Sequence, residues 1–265
     1  KNFKAPITDT ANWPRCVQIA WQLHDDMGNM LEQKDFLVIP AGYAIPFQSE
    51  QIHGTSTALA QTQGEYLQIV LKEFNNVLAK AKFVVGHNVM FDVNVMCCEL
   101  HRYSIESNLA DLPILDTCTE TTATLFQITG GRGGKFKLPT LTQLHEKLFN
   151  VPFSEAHNAT ADVEATTRCF LELIRTRSFQ QEELQSDDQY FDQFLIANPD
   201  AIQPVGLKHL NLKEASAALK KDEDAGADLS QKEIKQNIDK LREVRFSHLH
   251  NHSQFSVLQS TTKID

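Results

Sequence analysis

Four residues, Phe83-Val84-Val85-Gly86, form a short apolar run that stops at His87-Asn88 before a new apolar pattern starts at Val89. A run this short, β-branched and closed by glycine, reads as a strand buried on both faces. From Val89 onward the spacing reads as a helix with Phe91, Val95 and Cys98 on its core side. A buried strand that feeds straight into a helix commits the chain to a sheet covered by helices. The flanking sequence agrees. Residues 15–23 (RCVQIAWQL) alternate as a strand does, residues 24–29 make a turn, and residues 34–39 (KDFLVI) read as the hairpin partner. Leu67, Leu71, Phe74 and Leu78 recur at helical spacing, as do Leu141, Leu144 and Leu148 after Pro139. Residues 113–116 read as another short strand, and residues 159–174 as a helix with Val163, Thr167, Phe170 and Ile174 inward. The expected fold is α/β, one mixed sheet flanked by helices over residues 1–178.

After residue 178 the texture changes. Residues 180–198 read as a polar helix carrying Tyr190, Phe191, Phe194 and Leu195, and residues 199–212 as a loop. Residues 220–228 (KKDEDAGAD) are a charged linker, and Ser230 with Glu233 gives a capping-box signature for one more helix. Residues 179–243 are thus expected to be a helical, charged linker, with residues 244–265 opening a further domain. Glycines cluster at 130–134 in a flexible loop.

The five cysteines form no C-x-x-C pair and have apolar neighbours. That pattern suits reduced thiols and a cytoplasmic setting, and argues against a zinc site built on them. No apolar run is long enough to span a bilayer. The net charge of −9 argues against a chain that grips nucleic acid tightly by itself. A carboxylate-rich site neutralised by metal ions, or a larger partner with a cationic groove, would reconcile the two.

Two segments carry chemistry. In Val84-Val85-Gly86-His87-Asn88-Val89-Met90-Phe91-Asp92, a strand runs into the first turn of a helix that holds Asp92. Ligand sites in open α/β sheets lie at the carboxyl ends of strands. In His157-Asn158-Ala159-Thr160-Ala161-Asp162, His157 falls just before a helix and Asp162 about one turn inside it. Each residue alone has a plain structural reading: a helix N-terminal carboxylate, a loop imidazole, a solvated acid. Together, carboxylate oxygens suit hard divalent cations and a histidine suits proton transfer.

The ordered pair of segments resembles the second and third motifs of the DnaQ-like DEDDh class of 3′→5′ exonucleases. The resemblance covers residues 1–178 and includes the Asp116-Thr117 pair. It implies a ribonuclease H-like fold and two Mg²⁺ or Mn²⁺ ions. It further implies that Asp92 and Asp162 hold metal, that His157 is the general base, and that a 3′ terminus is hydrolysed. Ile52-His53-Gly54-Thr55 resembles the family's loop for the terminal nucleotide, which assigns His53, Gly54 and Thr55, with Asn88 and Phe91, to substrate binding. Thr55 stands where the family commonly has an aliphatic residue.

The family's first motif, an Asp-x-Glu at the end of its first strand, is absent. Residues 15–23 resemble the second strand, so the first is expected ahead of Lys1. Near the other end, residues 246–258 (FSHLHNHSQFSVL) resemble the opening of the PHP domain of the bacterial DNA polymerase III α subunit. By that resemblance His250 and His252 belong to an incomplete metal motif, which when complete takes Zn²⁺ or Mn²⁺. The two resemblances in this order imply a proofreading exonuclease fused ahead of a replicative polymerase, with the remainder of that polymerase as its partner. A catalytically inactive scaffold module and an RNA-trimming exonuclease are the alternatives. Residues 189–194 (QYFDQF) faintly resemble a peptide that docks on a sliding clamp, but an aromatic stripe packing on the main domain is the simpler reading.

Overall fold

The computed structural model describes residues 2–131, 133, 135–151, 158–179, 181–206 and 210–221. Lys1–Ala217 form one compact unit, and Ala218–Asp265 group as a second. Of the expected site residues, His157, His250 and His252 lie outside the described residues.

The first unit opens with a segment strapped to a buried acid. Glu99 is 0% exposed. Its Oε1 accepts from the amide of Cys16 at 2.8 Å and from Arg15 Nε at 3.0 Å. Arg102 pairs with the same oxygen at 3.1 Å and donates to the carbonyls of Thr10, Trp13 and Pro14. Truncating such an acid strands the Cys16 amide and Arg15 Nε and removes the charge that pairs with Arg102. Glu99→Ala is therefore expected to cost about 3 kcal/mol or more in urea unfolding. A loss below about 1 kcal/mol would show that the acid contributes little to this anchoring.

β1 (Gln18–His24) and β2 (Met30–Leu37) form an antiparallel hairpin, with Gln18 opposite Leu37 and Leu23 opposite Glu32. Its turn is held by the Asp25 carboxylate, which accepts from the amides of Met27 and Asn29. Helices α1 (Phe47–His53), α2 (Thr57–Gln63) and α3 (Leu67–Leu78) follow. β3 (Val84–Gly86) leads into α4 (Met90–Arg102), and β4 (Ile114–Asp116) pairs with β3 in parallel. α5 (Glu120–Phe126), α6 (Leu141–Phe149), α7 (Ala159–Arg175), α8 (Gln181–Leu184) and α9 (Asp188–Ala197) complete the order, and a further helical stretch begins at residue 212.

Alternate strand residues face opposite layers, as the pleat requires. Ile19, Trp21 and Val84 join the cluster of α3 and α4, whereas Val85 and Leu115 join that of α7 and α9. Phe191 and Phe194 are buried in the second cluster. Those two aromatics are therefore committed to packing, and α9 does not offer them to a sliding clamp. The single helix expected over residues 180–198 is two. Gln185 adopts a left-handed φ of 48°, and the Asp187 side chain then caps α9 by accepting from the Tyr190 amide at 2.9 Å.

The mixed α/β character is as expected, but among the described residues the strands do not form one sheet: β1 pairs with β2, and β3 with β4. Helix α7 nevertheless packs against both β1 and β3. A cavity of about 2790 Å³, partly open to solvent, is lined by β1, β3, α4 and α7 and also by residues of α1, α3, α6 and α9. Val163 and Thr167, expected to point into the core, line this cavity and are only half-buried. Their side chains face the space that separates the two sheets. Among the described residues, no helix is long and apolar enough to cross a membrane.

Candidate active site

The turn after β3 is built to one shape. A Cβ on Gly86 would sit 2.3 Å from Val89 Cγ2, so only glycine fits. Asn88 is left-handed, with φ 56°, a conformation asparagine tolerates. The Asp116 carboxylate, at the end of β4, accepts from the amides of Asn88 at 2.8 Å, Val89 at 3.1 Å and Cys118 at 2.7 Å. Thr117 donates its amide to the Gly86 carbonyl at 2.9 Å. The His87 ring bridges the Thr117 hydroxyl and the Pro139 carbonyl, at 2.9 and 3.0 Å. Asp116 and His87 are thus occupied in holding the turn, and that turn aims the start of α4 and Asp92.

Asp162 comes from the first turn of α7. The Asn158 side chain caps this helix by accepting from the Thr160 amide at 3.1 Å. Two contacts tie the same end to the hairpin: the Ala159 amide donates to Gln18 Oε1 at 3.2 Å, and the Thr160 hydroxyl donates to the Asp35 carboxylate.

Asp92, Asp162, His53, Asn88 and Phe91 all line the one cavity between the sheets. The Asp92 carboxyl is pushed up to about 6, chiefly by poor solvation and further by the negative charges of Asp162 and Asp116. Part of its surface opens to the cavity while protein crowds its other sides. Concentrating carboxylates in this way is unfavourable without a cation and becomes favourable around one. The oxygen donors fit Mg²⁺ or Mn²⁺, but two acids are an incomplete set for two ions. Among the described residues, no group of three or more His, Cys, Asp or Glu side chains could hold a metal.

Phe91 departs from its expected place. Phe91, Val95 and Cys98 do share a stripe of α4, but Val95 and Cys98 pack under Trp13 in a small separate cluster. Phe91, at the cavity end of the stripe, is 37% exposed, with its ring 5.8 Å from Phe3 and 6.4 Å from Trp13. The core stripe proper is Val93, Met96, Cys97 and Leu100.

His53 closes α1, and Gly54 follows with φ 81°. Burial holds the His53 imidazole below its ordinary range, and its Nδ1 accepts from the Thr55 amide at 3.1 Å. The Thr55 side chain is fully buried and does not reach the cavity. The hold of Asp116 on the Asn88 and Val89 amides and the ties of Gln18 and Asp35 to α7 are not evident from spacing, because those partners lie far apart in sequence.

An exonuclease family model matches residues 18–170. Among solved structures, the fold is similar to E. coli exonuclease I in complex with a dT13 oligonucleotide, at 23% identity and a TM-score of 0.53, over 69% of this chain and 40% of that one. It is similar to the same E. coli enzyme in complex with dA16, at 22% and 0.53, over 70% and 40%. It is similar also to the zinc-bound form of an E. coli ExoI–ssDNA complex, at 23% and 0.51, over 70% and 40%. At these identities the likeness shows a shared fold. The chain spans about 40% of the length of these structures. No curated protein matches it. Because the matched family region takes in both strand pairs, Asp92 and Asp162, and more than half of the sequence, the chain belongs to the RNase T exonuclease family.

Proposed function

We propose that this domain removes nucleotides from the 3′ end of single-stranded or frayed DNA, releasing nucleoside monophosphates. The observation that carries the reading is the meeting of Asp92 and Asp162 at one cavity with His53, Asn88 and Phe91. Asp92 and Asp162, completed by further carboxylates, would hold two Mg²⁺ or Mn²⁺ ions, which when bound would stabilise charge developing on the scissile phosphate. His157, next to the cap of α7, takes the proton of the attacking water. Phe91 offers an exposed ring for stacking on a terminal base. His53 shapes the seat of the last nucleotide, and Gly54 and Thr55 behind it hold the imidazole in place, the Thr55 amide donating to its Nδ1. That the neighbouring exonuclease I structures hold dT13 and dA16 favours DNA over RNA.

Further carboxylates would come from a strand that fills the space between β1 and β3. Phe3 packs on Phe91, at the Asp92 end of the cavity. A strand that fills the space and joins the chain near Asn2 must leave at that end. It therefore runs parallel to β3, with its last residues beside Asp92, where an Asp-x-Glu would complete the metal site.

The proposed setting is proofreading within a DNA polymerase III α polypeptide, with residues 244–265 opening its PHP domain and His250 and His252 in that domain's metal motif. Covalent attachment keeps the exonuclease at high local concentration near the primer end. It also removes the need for a basic surface on a domain of net charge −9. A scaffold without chemistry is the second reading, favoured by the two-acid set among the described residues. The test is release of nucleoside monophosphate from single-stranded DNA by the strand-completed protein. EDTA should stop release and added Mg²⁺ or Mn²⁺ restore it. Release that persists in excess chelator rules out the metal site; none under any condition leaves the scaffold.

A further inference from the structure

One hydroxyl joins the last part of the first unit to the loop beside the cavity. Ser216 Oγ donates to the Gly54 carbonyl at 2.6 Å and accepts from the Ser56 amide at 3.0 Å. Ser216 is 3% exposed and lies 160 residues from Ser56 in sequence. Both groups it serves are orphans of helix ends. Gly54 follows the last turn of α1, and Ser56 is the N-cap of α2, so neither finds its partner within a helix. The fit is close as well. A Cβ on Gly54 would sit 2.8 Å from Lys213 Cγ and 2.9 Å from the Lys213 amide nitrogen.

The same stretch touches the other half of the site. The carbonyl of Leu210 accepts from Asn158 Nδ2 at 3.1 Å. Asn158 caps α7, the helix that carries Asp162 in its first turn. One end of residues 210–216 is therefore bonded to the helix that presents an acid to the cavity, and the other to the loop after His53. Leu212, between them, is buried.

We propose that residues 210–216 are a brace that sets the position of the 53–56 loop relative to α7, with Ser216 as the positioning residue for the terminal nucleotide. The role of the loop rests on the proposed function; the brace itself does not. The brace acts on the seat of the nucleotide and leaves the carboxylates alone. Its loss should weaken the grip on the DNA end without slowing the chemical step.

The test compares Ser216→Ala, Ser216→Thr and Asn158→Ser with the parent full-length protein. Ser216→Ala strands a buried carbonyl and a buried amide. It is expected to raise KM for a single-stranded oligonucleotide about 5- to 10-fold, with kcat within about 2-fold. Ser216→Thr keeps the hydroxyl and should restore KM. Asn158→Ser keeps an N-cap oxygen, cuts the other end of the brace, and should also raise KM. Hydrogen exchange supplies a readout independent of activity. In Ser216→Ala the Ser56 amide should exchange about 10-fold faster, while the Gly54 amide, bonded to the Glu50 carbonyl at 2.7 Å, should not change. Faster exchange at Ser56 in Ser216→Ala, with no nuclease activity in the strand-completed parent, would refute the proposed function and leave the brace standing. Unchanged exchange in a folded variant, or kcat and KM falling together with the melting temperature, would overturn the brace.

Discussion

Extending the chain ahead of residue 1 by a strand of about eight residues, apolar at alternate positions, is expected to raise its melting temperature by more than about 10 °C. The expectation comes from the space between β1 and β3. Cavities left by core truncations cost on the order of 24 cal/mol per Å³. The space of about 2790 Å³ is partly open to solvent, so that rate does not extend to its whole volume, but a few kcal/mol from its enclosed part is a sizeable share of the roughly 5–15 kcal/mol that holds a whole domain together. Among the described residues β1 and β3 are each paired on one side only, both line the space, and unpaired edges invite association with other chains. A strand in the gap would pair with both edges and cover Val163 and Thr167. A gain of several kcal/mol corresponds to the stated shift for a domain of this size, at about 2–4 °C per kcal/mol. Protection of the amides of β1 and β3 from hydrogen exchange should rise with it. An unchanged melting temperature, or β1 and β3 amides already protected in the shorter chain, would show that the gap closes another way.

Asp162→Ala in the strand-completed protein is expected to lower the exonuclease rate by about 10³-fold or more, because a lost metal ligand removes several kcal/mol of charge stabilisation. Stability should barely move. Asp162 is only half-buried, and its charge stands against that of Asp92, so its removal relieves repulsion in the metal-free protein. Thermal melting beside a rate assay separates the two effects. A folded variant that retains a rate within a few-fold of the parent would remove Asp162 from the site.

The parts of this molecule legible in its sequence are those fixed by local pattern. The run from Phe83 to Asp92 reads directly because a strand, a glycine turn and a helix start are all short-range features. The helix bearing Asp162 reads directly because it is long and amphipathic. Helix α1 was not anticipated, since none of its residues is buried and no apolar stripe marks it. Helix α5 is only seven residues long, with three threonines, and its signal is a Thr119–Thr122 capping box. Division of the strands into two sheets was not legible, because pairing depends on what lies between β1 and β3. The helical spacing of Phe91 with Val95 and Cys98 places it on the core side. Spacing names the stripe but not what covers it, which here is Trp13. The Ser216 brace crosses 160 residues and leaves no local trace.

The most direct measurement is digestion of a 5′-labelled single-stranded DNA in Mg²⁺ or Mn²⁺ by the chain as it stands and by the strand-completed chain, side by side. Expected is a ladder that shortens from the 3′ end with the completed chain, and little or none with the shorter one. Intact DNA after incubation with a completed chain that is folded and binds metal would contradict an exonuclease centred on Asp92 and Asp162.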